Sequence, residues 1–257
     1  MKFRRLCLSL LPAFLLAVGC SKNSTAPEAN EVENLSDTEQ MTIVATEVAQ
    51  ASGGAMNDLT MVAANANGSF NALGKSAGFD TTISKGWITY SLSLSYFTER
   101  GVPQNNFVKG VTDSVVYSSS LSGNYSEALG KINIGLKSGS NLIADGLKSG
   151  NATVNGGGAN NSTYSFEGNR RTLNINAASF YTVSNVVIPL NGSSYIPSAG
   201  TLEGTIKGKF TAVGAQQSAE KEYSFTFTVV FNGNNQVTVT LPSGKQYTLN
   251  LTTGKYN

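Results

Sequence analysis

Ile-Thr-Tyr-Ser-Leu-Ser-Leu-Ser-Tyr, residues 88–96, alternates an apolar side chain with a hydroxyl at every step. Successive side chains of an extended chain point to opposite faces, so Ile88, Tyr90, Leu92, Leu94 and Tyr96 share one face and Thr89, Ser91, Ser93 and Ser95 the other. The stretch predicts a strand with one buried and one hydrated face.

The same period recurs downstream. Val115, Tyr117, Leu121 and Tyr125 share one parity, and Ile132, Ile134 and Leu136 follow. Tyr164 with Phe166, Leu173 with Ile175, and the run from Val183 to Leu190 mark shorter strands, while Asn155 to Ser162, containing Gly156-Gly157-Gly158, reads as a loop. Leu202, Ile206 and Phe210 alternate with Glu203, Thr205, Lys207 and Lys209. Tyr223, Phe225, Phe227, Val229 and Phe231 form an apolar row, expected in the core rather than exposed as a binding face. Asn232-Gly233-Asn234-Asn235 and Pro242-Ser243-Gly244-Lys245 turn the chain into Val237, Val239, Leu241 and then Tyr247, Leu249, Leu251. The expected fold is mostly β: an antiparallel sandwich or barrel of about nine to eleven strands over residues 85–257, with an N-terminal helical segment.

That segment, residues 36–67, opens on Ser36-Asp37-Thr38-Glu39, which fits a capping box. Met41, Val44, Ala45 and Val48 recur at helical spacing, and Ala55, Leu59, Val62 and Ala66 continue in phase across Gly53-Gly54. One kinked helix or two stacked ones satisfy this pattern, with the small-residue stripe packed on the protein's own sheet.

At the start of the chain, Lys2, Arg4 and Arg5 precede an apolar run from Leu6 to Val18. The run is shorter than the roughly 20 residues a membrane-spanning helix needs, and the pattern is that of a secretion signal. Leu16-Ala17-Val18-Gly19-Cys20 resembles the lipobox of bacterial lipoproteins, departing from it at Ala17, where leucine is more common. The resemblance implies that residues 1–19 are a signal peptide and that Cys20 becomes a lipidated N-terminus in the bacterial cell envelope. Membrane lipid would then be a partner, and Ser21 after the cysteine suggests the outer membrane of a Gram-negative host. Ala17 and Gly19 also suit ordinary signal peptidase, which would release a soluble chain. Residues 20–35 are polar, contain Pro27 and show no periodicity, so they read as a disordered tether. Its reach, at up to about 3.5 Å per residue, is roughly 50 Å.

Composition narrows the chemistry. The chain carries 18 Lys and Arg against 16 Asp and Glu, and loss of Lys2, Arg4 and Arg5 leaves 15 against 16, a balance of −1. No basic cluster remains to neutralise a run of phosphates, which argues against nucleic acid as a partner. There is no histidine, Cys7 lies in the signal and Cys20 is the lipidation site. A Ser-His-Asp triad, a Cys-His pair, a His-bearing zinc site and a disulfide are thereby excluded.

Several look-alikes fail on context. Gly74-Lys75-Ser76-Ala77-Gly78 has the letters of a nucleophile elbow but no base, and Gly68 to Gly74 before Lys75-Ser76 has one residue too many for a phosphate loop. Ser218-Ala219-Glu220-Lys221, with Ser122-Gly123-Asn124 and the Lys-Ser-Gly triplets at Lys137 and Lys148, resembles the motifs of penicillin-binding proteins in the wrong order, with its serine in a turn. Glycoside hydrolysis needs two carboxyls within roughly 5–10 Å. Glu203 sits on a polar parity, and Asp113 and Glu127 would be some 45 Å apart on one unbroken strand at about 3.3 Å per residue. The expectation is no catalytic residue, no metal, no cofactor and no assignable ligand-binding residue. Three roles remain: a non-catalytic envelope protein binding a glycan, lipid or protein partner, a carrier of a lipid-like molecule inside a barrel, and a carboxylate-dependent glycosidase.

Overall fold

The computed structural model describes residues 35–68, 79–127, 130–168, 171–191, 194–214 and 218–257. The expected signal peptide, Cys20, the expected tether up to Asn34 and the Gly74–Gly78 motif lie outside the described residues. Among the described residues two α-helices precede eleven strands, and no helix is long and apolar enough to cross a membrane.

Helix α1 (Asp37–Val48) begins as its sequence dictates. The Glu39 N–H donates to Ser36 Oγ at 3.3 Å, and the Ser36 N–H donates to Glu39 Oε2 at 2.8 Å, so two otherwise unpaired donors are satisfied. A single turn of 3-10 helix, Gln50–Ser52, separates it from α2 (Ala55–Ala66), giving two helices rather than one kinked one. Gly53 takes the left-handed conformation that ends this turn, at φ +76°. The Gln50 and Ala51 N–H groups donate to the carbonyls of Leu251 (2.8 Å) and Thr252 (3.0 Å), tying the hairpin to the C-terminal end of the sheet.

The strands are β1 (Phe79–Lys85), β2 (Ile88–Thr98), β3 (Pro103–Gln104), β4 (Thr112–Ser126), β5 (Ile132–Asp145), β6 (Asn151–Glu167), β7 (Arg171–Pro189), β8 (Ala199–Gly214), β9 (Ser218–Val230), β10 (Gln236–Thr240) and β11 (Gln246–Asn250). They form one antiparallel sheet in chain order from β1 to β11, with β3 set aside on β2. The mostly β fold, the strand number and the N-terminal helices are as expected. The barrel alternative is not realised, because the sheet does not close on itself.

One face of the sheet packs on the helices. The pairings Leu94↔Tyr117, Tyr117↔Leu142, Leu142↔Gly156, Gly156↔Val183, Val183↔Leu202 and Leu202↔Val229 run across the sheet as one inward row. Leu94, Tyr117, Leu142, Val183, Leu202 and Val229 join Met41, Val44, Leu59 and Val62 from the helices in a single buried cluster. The helical stripe therefore covers the protein's own sheet, and Tyr223, Phe225, Phe227 and Phe231 are core.

Three local readings are corrected. Asn155 to Ser162 is the middle of β6, not a loop, because its glycines lie where neighbouring strands leave no room for a Cβ. A side chain at Gly157 would strike the Tyr181 carbonyl, and one at Gly158 would meet the Tyr181 ring at 2.6 Å. Backbone pairing with β5 and β7 holds the segment extended despite its weak intrinsic preference. Ser218 begins β9 and is not in a turn, and strand structure starts at Phe79, ahead of Lys85.

Candidate functional site, an amphipathic cleft under the helical hairpin

The inward apolar rows are interrupted. Ser119 pairs with Ser140, Ser140 with Gly158, and Gly158 with Tyr181, while one step along the strands Ser138 pairs with Asn160 and Asn160 with Ser179. These polar side chains occupy the parity that otherwise carries Leu and Val. The hydroxyls of Ser119 and Ser140 satisfy each other at 2.8 Å. Two helical carboxylates descend onto these rows: Glu47 from the last turn of α1 and Asp58 from the first turn of α2.

The Tyr181 hydroxyl donates to Asp58 Oδ2 at 2.7 Å, and the Ser179 hydroxyl donates to Glu47 Oε2. Gly158 makes the first bond possible, since the Tyr181 ring occupies the space where a side chain at 158 would stand. Burial pushes both carboxyls above their ordinary range. Hydrogen bonds from Ser179 and Asn160 to Glu47, and from Tyr181, Ser140 and Tyr117 to Asp58, oppose that rise without cancelling it. The Tyr117 and Tyr181 hydroxyls are driven well upward by burial and by the Asp58 charge, and Tyr223 is pushed up to about 12 by burial and the charge of Glu47. The phenols therefore keep their protons, and Tyr181 uses its own as a donor to Asp58.

Around these groups the packing is incomplete. A void of about 120 Å³ lies between the helical turn at Gly53-Gly54 and strands β2 and β4–β7, with Glu47, Asp58, Tyr90 and Tyr181 in its wall. A second, of about 140 Å³, runs from Glu47 along α1 toward Ile43, Ile134, Leu136, Ile175 and Ile206. Glu47, Leu136, Asn160 and Ser179 line both, so the two form one cleft with a carboxylate-rich end and an aliphatic end. Each lobe matches the cavity of roughly 150 Å³ that accommodates benzene in an engineered protein core.

Carboxyls with raised pKa leave a thermodynamic trace. Between its unfolded and folded pKa values each binds a proton in the native state that the unfolded chain has lost, so stability falls as pH rises through that interval. At pH 8, Glu47→Gln or Asp58→Asn is expected to raise the unfolding free energy, because the neutral amide avoids the cost of the buried charge. The gain should shrink toward pH 4. Urea titrations at both pH values check this, and variants equally less stable at both would contradict it.

The residues singled out in the sequence lie elsewhere. Cys20 is outside the described residues. Asp113 lies near the start of β4 and Glu127 just beyond its end, and Glu203 is exposed on β8. Ser122 on β4 pairs with Lys137 on β5, which brings two of the penicillin-binding-protein look-alikes together, but Lys221 on β9 lies 4.0 Å from Glu39 and Lys148 pairs with Glu99 at 2.8 Å, so the full set does not converge. Reading the strand rows alone passes over Glu47 and Asp58. Their signal is a charged residue beside the apolar phase of each helix, together with serines at 119, 140 and 179 in otherwise apolar parities. Among the described residues no group of three or more metal-binding side chains is assembled. No protein-family model, no curated protein and no solved structure matches the chain.

Proposed function

We propose that this is a non-catalytic, lipid-anchored protein of the bacterial envelope that holds a small, largely apolar molecule in the cleft between its helical hairpin and its sheet. The observation that carries the reading is the cleft itself, whose aliphatic end is left unfilled beside a closely packed core row. A void lined by Ile134, Leu136, Ile175 and Ile206 forfeits dispersion contacts that a ligand would restore. Binding of a macromolecular partner through the aromatic row is disfavoured, because those rings are core. The anchor rests on the lipobox resemblance: acylation of Cys20 would tether the domain to the outer membrane, each buried methylene contributing about 0.8 kcal/mol.

Mass spectrometry of the chain purified from bacterial membranes tests both parts. Under denaturing conditions the expected mass is that of residues 20–257 plus acyl chains. Under native conditions an additional non-covalent mass is expected, displaced by an apolar fluorophore such as diphenylhexatriene. An uncleaved or unacylated chain removes the anchor, and a ligand-free chain that takes up no fluorophore removes the binding reading.

Glycoside hydrolysis is the second reading, favoured by two carboxyl groups in one cleft. It is the weaker one. Both acids already accept hydrogen bonds from sheet hydroxyls, and the isoleucines and leucines of the second lobe would face a sugar with apolar surface.

A further inference from the structure

Resting on the binding reading above, we propose that the molecule held in the cleft is an amphipathic amine, its cationic head seated against Glu47 and Asp58 and its hydrocarbon part in the lobe lined by Ile134, Leu136 and Ile175. Charge complementarity in the partly open cleft favours such a head. Among the described residues no lysine or arginine is within ion-pair distance of either carboxylate, and none contributes to the charge environment of either. The partners supplied by the fold are all neutral donors: Ser179 and Asn160 for Glu47, and Tyr181, Ser140 and Tyr117 for Asp58. Such donors orient a carboxylate but do not neutralise it, and a buried charge without a counter-charge is costly.

An ammonium head would supply the missing charge. It carries donors where the cleft presents acceptors, and the aromatic side chains of Tyr90 and Tyr181 stand in the same wall. An anionic head would meet two carboxylates, and a purely aliphatic ligand would leave both uncompensated. The spatial order agrees, since Glu47 lies at the junction of the two lobes, where a head and a chain would meet. Any carboxyl still protonated in the empty cleft would pass its proton to solvent as the ammonium seats.

The test uses the full acylated chain in lipid nanodiscs, titrated calorimetrically at pH 8 with hexylammonium, hexanol and hexanoate against empty nanodiscs. Hexylammonium should bind at least tenfold more tightly than hexanol, and hexanoate more weakly than either. In a Glu47→Gln/Asp58→Asn double variant, with folding checked by circular dichroism, the preference for the amine over the alcohol should disappear. Equal binding of hexanol and hexylammonium, or a preference for hexanoate, overturns the amine assignment while leaving the cleft a binding site. Failure of all three to bind the wild-type chain removes the binding reading and this inference with it.

Discussion

Leu142→Ala lowers the unfolding free energy by about 2–5 kcal/mol, whereas Ile143→Ala beside it changes stability by no more than about 0.5 kcal/mol. The two residues are adjacent in β5 and similar in size, but Leu142 is wholly buried and Ile143 is 45% exposed. Leu142 lies between Tyr117 of β4 and Gly156 of β6, in the row that meets the helices. Truncating it removes transfer free energy and leaves a cavity that a continuously hydrogen-bonded sheet cannot collapse around. Urea unfolding of the two variants beside the wild-type chain measures the difference. Equal losses would mean that the sheet buries both faces, and a larger loss at Ile143 would mean that the register is shifted by one residue.

Gly156→Ala should be of similar severity for a different reason. At φ +131° the backbone adopts a conformation nearly restricted to glycine, and an added Cβ would run into the Asn141 carbonyl and come within 3.0 Å of Leu142 Cα. Backbone strain of about 1–3 kcal/mol then adds to an overpacking cost of similar size. Gly146→Ala separates the two contributions: Gly146 also has positive φ, at +75°, but faces open space, so only the conformational cost of about 1–2 kcal/mol is expected. Gly156 sits at the irregularity between β6 and β7, directly across from Leu142. For that reason Gly156→Ala combined with Leu142→Ala should depart from additivity. If Gly156→Ala costs no more than Gly146→Ala, the close approach of β5 and β6 at this point is wrong.

Gly156-Gly157-Gly158 also shows why part of the sheet escaped a reading by pattern. Glycine carries no side chain to alternate, so a strand built from it has no period to detect, and its intrinsic preference points toward a loop. What holds it extended is hydrogen bonding to β5 and β7, whose own alternation is legible. The cleft was hidden by a related effect. Glu47 and Asp58 are eleven positions apart on separate helices, and Ser140 and Ser179 come from separate strands. None has a sequence neighbour that marks it. Each is only a polar residue close to an apolar phase, and such a residue on an amphipathic element is more often at a solvated margin than at the floor of a site.

Side-chain alternation from Ile88 onward was enough to establish antiparallel strands and which residues face inward, because period and burial are local consequences of backbone geometry. The Ser36–Glu39 box likewise set where α1 starts, since capping is completed within four residues. The absence of histidine closed off whole classes of chemistry at the level of the sequence. Tertiary structure alone decided that the strands make one open sheet rather than a barrel, that the hairpin packs against its inward face, and that two carboxylates and an aliphatic hollow meet where helices and sheet are incompletely packed. Those outcomes depend on how volumes far apart in the chain fill space together, and no run of neighbouring residues encodes that sum.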